Sequence, residues 1–485
     1  MPCSRTVLSY LTFNEQMSTF STHFSLLKRS GRAVALLLVS SAFLAACGED
    51  PVTPPAGKSV ADYDAGVATS WSNMQLELVQ KTPGFTPMVA ARAFGYSGVA
   101  LYEALVAGMP ENKSLEGQLN GLNAGMIPDV EEGVEYHWPS VANAAMARIT
   151  DSLFATATAE MIAKSDALEA TLAASYVGEA DSAVLARSVA YGTAVADAVY
   201  EYSKSDGGHQ AYTPARNFPA SYVPPVGDGK WVPTPRKGGL PAQGAMQPTW
   251  GQNRPFVLTQ GNPNATSDPG MPMAYSTEPG SPFYMQAQEI HDFVTNPTTE
   301  QTEIALFWSD DPGTTCTPAG HSVSIMTQCL ELEEMKLDAA ALCYAQMGIA
   351  VNDAFIACWE SKFKYNLLRP LTYFMNVIDP TFTADDLPLG TPPFPEYPSG
   401  HSVQSGAAAV ILNDGFAGMT FPFVDHTHDV RGLSARSYAS FDAAANEAAV
   451  SRLYGGIHFR EACEKGVTQG EVIGQQVLTS VDWTN

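Results

Sequence analysis

Two long stretches of this chain repeat apolar residues at three- and four-residue intervals on an alanine-rich background, and they leave almost no place for a sheet. From about residue 59 to 203 the pattern runs through MVAARAFGYSGVALYEALVAG, VANAAMARITDSLFATATAEMIA and SAVLARSVAYGTAVADAVYEY, and it resumes from 286 to about 482. Residues 203–285 break it, because 14 Pro and 11 Gly among 83 positions are too many for regular structure. So long an irregular stretch argues for a functional or wrapping segment and against a hinge between independent domains. The expected fold class is all-α: a helical bundle over 59–203, a second over 286–485, and residues 204–285 wrapped about them. About 425 residues can bury a large core, which favours one compact unit over two separable domains.

Within the second stretch one set of polar residues stands out. Lys362 and Arg369 lie seven residues apart in CWESKFKYNLLRPLTYF, a spacing that puts both on nearly the same side of a helix, two turns apart, before Pro370 discourages its continuation. The segment FPEYPSGHSVQSGAAAVIL passes from a proline-rich approach into small and apolar residues, which predicts a helix starting near Ser399. Free N–H groups and the positive end of the dipole gather at such a start. Gly400 lets the backbone come close, Ser399 adds a hydroxyl, and His401 is placed to move a proton. In SRLYGGIHFREACEKG the pair Gly455-Gly456 separates Arg452 from His458. On an unbroken helix those side chains would diverge, and a glycine break lets them converge. A compact ammonium, two planar guanidinium forks and a helix start suit the several oxygens of phosphate or vanadate.

Taken in order, K-x6-RP, PSGH and SR-x5-H resemble the vanadium-dependent haloperoxidases, a family that shares its site with type 2 phosphatidic acid phosphatases and bacterial class A acid phosphatases. The resemblance implies two packed bundles forming one haloperoxidase or acid phosphatase-like unit with one vanadate per chain. It implies that Lys362, Arg369, Ser399, Gly400 and Arg452 hold the equatorial oxygens, that His458 binds the metal, and that His401 is the acid–base group. Four flanks resemble the haloperoxidase branch, its bacterial members in particular: TPPFPEYPSGH, GGIHFRE, KWVPTPRKGGLPAQGAMQPTWGQNRPFVL and FWSDDPGTTCTPAGH. The likeness extends over most of residues 60–480. In the last flank Asp310 or Asp311 is expected to orient His401, and spacing does not choose between them. Phe394 falls where the family places a residue flanking the halide approach.

The implied partners are hydrogen peroxide, halide and small organic acceptors. Vanadate would act as a Lewis acid of fixed oxidation state, with Lys362 polarising bound peroxide and His401 managing the proton. Iodide and bromide are expected ahead of chloride, because softer, less tightly hydrated halides give up electrons more easily. Two other readings use the same residues: an acid phosphatase with His458 as nucleophile, and a lipid-anchored binding protein whose site is idle.

Residues 33–47, AVALLLVSSAFLAAC, follow Lys28, Arg29 and Arg32 and make residues 1–46 an expected export signal. Its ending, Leu44-Ala45-Ala46-Cys47, resembles a bacterial lipobox, so Cys47 is expected to be lipidated and to be the protein's one hold on a bacterial membrane. Residues 47–58 then form a flexible tether. No later apolar run approaches the ~20 residues of a membrane span. The chain has 26 basic and 50 acidic residues, and without residues 1–46 its formal net charge becomes −27. Nucleic acid is therefore not an expected partner, and a basic pocket would stand out against its background. The oligomeric state is left open, a homodimer included. Cys316 and Cys329, bracketing a short loop, are the expected disulfide in an oxidising compartment, while Cys343 and Cys358 fall in helical patterns as buried thiols. His426 and His428, in FPFVDHTHDVRG, read as solvated loop histidines.

Overall fold

The computed structural model describes residues 57–259 and 267–485, so the expected export signal, Cys47 and most of the tether lie outside the described residues. Among these, regular structure is helical apart from one two-stranded ribbon. The first group is α1 (Gly66–Lys81), α2 (Pro87–Leu105), α3 (Trp138–Leu153), α4 (Ala159–Ser175) and α5 (Ser182–Ser203). A long irregular passage follows, holding the four-residue α6 (Pro214–Asn217) and short 3-10 turns. The second group comprises α7 (Pro282–Thr295), α8 (Thr299–Phe307), α9 (Thr317–Leu332), α10 (Leu337–Tyr365), the short α11 (Pro370–Tyr373), α12 (Gly400–Gly415), α13 (Phe441–Tyr454) and α14 (Arg460–Ser480). Between α12 and α13 the strands β1 (Phe423–Asp425) and β2 (Arg436–Tyr438) pair antiparallel, with Asp425 opposite Arg436. Helix α7 starts four residues before the periodic pattern does, because Ser281 accepts from the Tyr284 N–H and Pro282 occupies the first turn, where no donor is needed.

Helix α10 is the axis of the molecule. It packs most extensively against α2 and also against α12, α14, α9 and α1, so it belongs to both groups of helices at once. By length and composition it could cross a membrane, contrary to the expectation that no such run exists. Yet 94% of its most apolar window is buried inside the protein, and a helix apolar all round is explained by neighbours on every face. Close approach needs glycine. A Cβ at Gly98 of α2 would lie 2.4 Å from the Tyr344 carbonyl oxygen, and one at Gly348 of α10 would lie 2.5 Å from that of Phe94. The resulting hydrophobic core runs from Val60 to Trp483.

The irregular passage is tied to the same helix. Asp353, buried within apolar α10, accepts from the backbone N–H groups of Phe256 (2.8 Å), Val257 (2.9 Å) and Leu258 (3.3 Å). Burial pushes its pKa up to about 6. One carboxylate thus satisfies three donors of a chain that has no sheet to join. The Trp231 N–H reaches the Asn366 carbonyl and the Met246 N–H that of Pro393, while the Trp231, Trp250 and Phe256 rings are buried. The passage therefore runs along the end of α10 that bears Lys362.

Cys316 and Cys329 are free thiols, not the expected pair. Cys316 caps α9 and Cys329 lies on its fourth turn, about 20 Å along the axis, where a disulfide needs a Cα separation near ~6 Å. Gly348→Ala should lower unfolding stability by about 1–3 kcal/mol through overpacking, and a denaturant titration with an unchanged midpoint would show that α2 and α10 do not approach this closely.

Candidate active site

Helical spacing is not what brings Lys362 and Arg369 together. Helix α10 stops at Tyr365 because Asn366 adopts the left-handed conformation (φ 56°) and its N–H closes on the Lys362 carbonyl. Leu367 then forms a bridge with Lys230, and Arg369 becomes the N-cap of α11 with Pro370 at its start. Lys362 thus projects from the last turn of one helix and Arg369 from the loop beyond it. Ser399 caps α12, its hydroxyl accepting from the Ser402 N–H at 3.4 Å, as the sequence predicts. Helix α13 ends at Tyr454, and Gly456 turns the chain with φ 74°. The Ile457 N–H returns to the Arg452 carbonyl, so Arg452 and His458 do converge across the glycine break.

These elements enclose a pocket of about 410 Å³ whose wall includes Phe394, Gly400, His401, Arg452 and His458. Arg369 stands behind it. Its Nε donates to the Phe394 carbonyl (2.8 Å), and its Nη1 donates to the Ile457 carbonyl (2.9 Å) and to His458 Nε2 (3.2 Å). Its Nη2 is buried without a partner. Arg452 donates from Nη1 to His401 Nε2 (3.3 Å) and from Nη2 to the carbonyls of Trp308 and, at 3.5 Å, Ala305. Lys362 donates to the carbonyls of Pro395 (3.1 Å), Glu396 (2.9 Å) and Pro398. All three of its protons therefore hold the approach to α12, where the resemblance implies contact with the anion. Burial brings the Lys362 ammonium down to about 7 and both guanidiniums to about 10.

The residue that sequence reasoning missed is Glu396. It is fully buried, and its Oε1 accepts from His458 Nδ1 (2.8 Å) and from the Phe459 N–H (2.8 Å), while Oε2 has no partner. Burial lifts its pKa to about 7 even with Lys362 and Arg369 beside it. A proton on Nδ1, shared with Glu396, leaves the Nε2 lone pair of His458 facing the cations. Burial, then Arg369, Lys362 and Arg452, hold His458 well below the usual imidazole range, and burial and Arg452 do the same to His401. Both rings are neutral. The only sequence signal for Glu396 is an acid set inside the apolar, proline-rich FPEYPSGH.

Asp310 does not orient His401 by a direct bond. Its two oxygens accept from His321 Nδ1 (2.9 Å) and His428 Nε2 (3.1 Å), and His401 is bonded to Arg452 and to the Ser309 backbone instead. Asp311 is exposed at the pocket's edge. His428, expected in solvent, is 2% exposed, because this bond to Asp310 draws the β1–β2 loop inward. His426 is solvated and pairs with Asp429. The Phe394 ring centroid lies 5.2 Å from Lys362 Nζ, 4.6 Å from the Arg369 guanidinium carbon and 4.9 Å from the Trp359 ring.

A larger cavity of about 670 Å³, lined by Glu103, Trp138 and Tyr191 among others, holds no comparable cluster of cations. About the smaller pocket three buried basic side chains stand against the buried carboxyls of Glu396 and Asp310, the second already engaged by two histidines, and one guanidinium nitrogen lacks an acceptor. Such uncompensated positive charge is stable only with an anion to meet it, so the residues present fit an oxyanion.

The family model described as the second helical-bundle domain of VCPO matches residues 342–484. Vanadium chloroperoxidase from Curvularia inaequalis is 27% identical over 99 residues, a match covering 18% of this chain and 16% of that protein. A structure described as the first bacterial vanadium-dependent iodoperoxidase superimposes with a TM-score of 0.76 at 33% identity, covering 88% of this chain and 99% of the other. The apo form of a bacterial vanadium-dependent chloroperoxidase, at 16% identity, gives a TM-score of 0.61 over 87% of this chain and 99% of its own, a likeness of fold.

Glu396→Ala would leave His458 Nδ1 and the Phe459 N–H buried without an acceptor. Affinity for a tetrahedral oxyanion, read by calorimetry with vanadate, should fall about 10- to 100-fold; undiminished affinity would mean that His458 needs no such support.

Proposed function

The chain belongs to the vanadium-dependent haloperoxidases, with vanadate as cofactor and hydrogen peroxide and halide as substrates, and we propose that it oxidises iodide and bromide ahead of chloride at the pocket over His401 and His458. The observation that carries the assignment of roles is a neutral His458, oriented by Glu396, beside the unsatisfied Arg369 guanidinium. Vanadate, when bound, supplies a Lewis acid that activates peroxide toward halide without changing its own oxidation state.

His458 would hold the cofactor through Nε2, which the Glu396 hydrogen bond at Nδ1 leaves without a proton and whose lone pair now accepts from Arg369 Nη1. Arg369 offers Nη2, Arg452 lies across the pocket, and Gly400 adds its N–H and the dipole of the α12 start, which Ser399 caps while its own N–H is taken by the Ala462 carbonyl. Lys362 strengthens the positive field from behind, while its donors shape the Pro395–Pro398 turn. His401, neutral and lined up by Arg452, would take and return a proton at Nε2. Phe394, packed over both Lys362 and Arg369, keeps the approach apolar and strengthens the charges behind it.

Two considerations support the halide order. A softer, less hydrated anion loses least on entering an apolar approach, and a relative 33% identical to this chain is described as an iodoperoxidase. Small organic acceptors would then take the hypohalous acid.

His458→Ala should abolish stable vanadate retention, whereas His401→Ala should keep vanadate and slow turnover by about a hundred- to ten-thousand-fold. Metal analysis after gel filtration separates the two, and equal retention would mean the roles are reversed. Steady-state rates at matched peroxide should rank iodide, then bromide, then chloride. Equal chloride and iodide rates would remove the ranking. Should the vanadate-treated protein halogenate nothing while the untreated chain hydrolyses p-nitrophenyl phosphate, the phosphatase reading, with His458 as nucleophile, takes its place.

A further inference from the structure

Behind Asp310, which the pocket wall includes, lies a second buried network to which the proposed mechanism gives no role. His321 of α9 is fully buried, and both its ring nitrogens meet carboxylates: Nδ1 with Asp310 at 2.9 Å and Nε2 with Asp425 at 2.7 Å. A ring bonded on both sides to acceptor-only groups carries both protons. The Trp308 indole stacks on it, with centroids 4.3 Å apart and planes 20° from parallel, a geometry that favours the cation further. His428 adds a bond to the other oxygen of Asp310 (3.1 Å), and Thr427 and Gln328 bond the free oxygen of Asp425.

The loop so gripped is strained at both ends. Asp310 has φ 49°, and Thr317, a β-branched residue, has φ 67°, conformations that persist only where the surroundings over-determine them. The same loop supplies the Trp308 carbonyl that holds Arg452 Nη2, and Arg452 holds His401. A continuous chain of contacts thus runs from His321 to the acid–base residue through Trp308 and Arg452.

We propose that His321, clamped between Asp310 and Asp425 and stacked on Trp308, is a positioning residue that sets the Trp308 carbonyl and through it the Arg452–His401 pair. The inference rests on the assignment of Arg452 and His401 given above. Asp310, His321 and His428 also lie close enough together to suggest a metal site. However, both nitrogens of His321 and both oxygens of Asp310 are engaged in hydrogen bonds within the protein, which makes the cluster a proton network. The groups facing the ring are Asp310 from the α8–α9 loop, Asp425 from β1 and His428 from the β1–β2 loop; Arg452 lies beyond Asp310. The two carboxylates outweigh burial and raise the His321 pKa to about 10. A group raised in the folded state stabilises fully below its unfolded value near ~6.5, and that contribution is lost as pH rises toward about 10.

The test is a double-mutant cycle on the full-length chain. His321→Gln and Asp425→Asn should each keep the helical circular dichroism spectrum yet weaken vanadate binding at least fivefold. In an Arg452→Ala background neither should cause further loss, because coupled sites are not additive. Additive losses, or none, would overturn the proposal. Asp425→Asn, remote from the pocket, decides the matter if His321→Gln does not fold. In the unsubstituted chain His321 should show two downfield ring N–H resonances up to about pH 9, and the melting temperature should decline between about pH 6.5 and 10 more steeply than in His321→Gln. One resonance only, or a divalent ion that the purified protein retains and Asp310→Asn loses, would also refute it. Since the vanadate arm needs no halide, an inactive peroxidase that still shows the coupling would contradict the catalytic reading and leave this one standing.

Discussion

Three cations buried in an alanine-rich helical core are the constraint on which the rest of this structure depends. Each must replace the water it has lost with acceptors, and carbonyls inside a helix are already taken. Lys362 therefore uses Pro395, Glu396 and Pro398; Arg369 uses Phe394 and Ile457; Arg452 uses Trp308 and the open last turn of α8. The proline-rich approach to α12, the glycine break after α13 and the loop after α8 are irregular where these residues need free carbonyls. Irregular backbone in an all-α protein here marks the functional site.

The helices in turn make that irregularity tolerable. Gly98 and Gly348 let α2 and α10 meet at backbone distance, and Asp353 pins the irregular passage to α10. The two histidines are kept neutral by burial among the guanidiniums, and each owes its orientation to a different partner, His458 to Glu396 and His401 to Arg452. A neutral ring with a free lone pair can bind a metal or accept a proton. Partner and position decide which.

The fold class was legible because apolar residues recur at helical intervals through both long stretches, and the cap at Ser399 and the break at Gly455-Gly456 were legible because turn chemistry is local. What escaped the sequence was everything set by contacts between distant segments. The left-handed stop at Asn366 overrode the apparent helical register of Lys362 and Arg369. Glu396 became significant only once His458, sixty-two residues later, lay against it. Asp310 took its partners from α9 and the β1–β2 loop, which sequence spacing could not reveal. Cys316 and Cys329 looked like the ends of a short loop, whereas the residues between them form the first turns of α9.

The most direct test of the central claim, that the buried cations and His458 form a single oxyanion site, is a crystal structure of the full-length protein equilibrated with vanadate. The expected result is one vanadium per chain bonded to His458 Nε2, with its oxygens on Arg369 Nη2, Arg452 and the N–H groups at the start of α12. An anion bound elsewhere, or seated in the pocket without a bond to His458, would contradict the account.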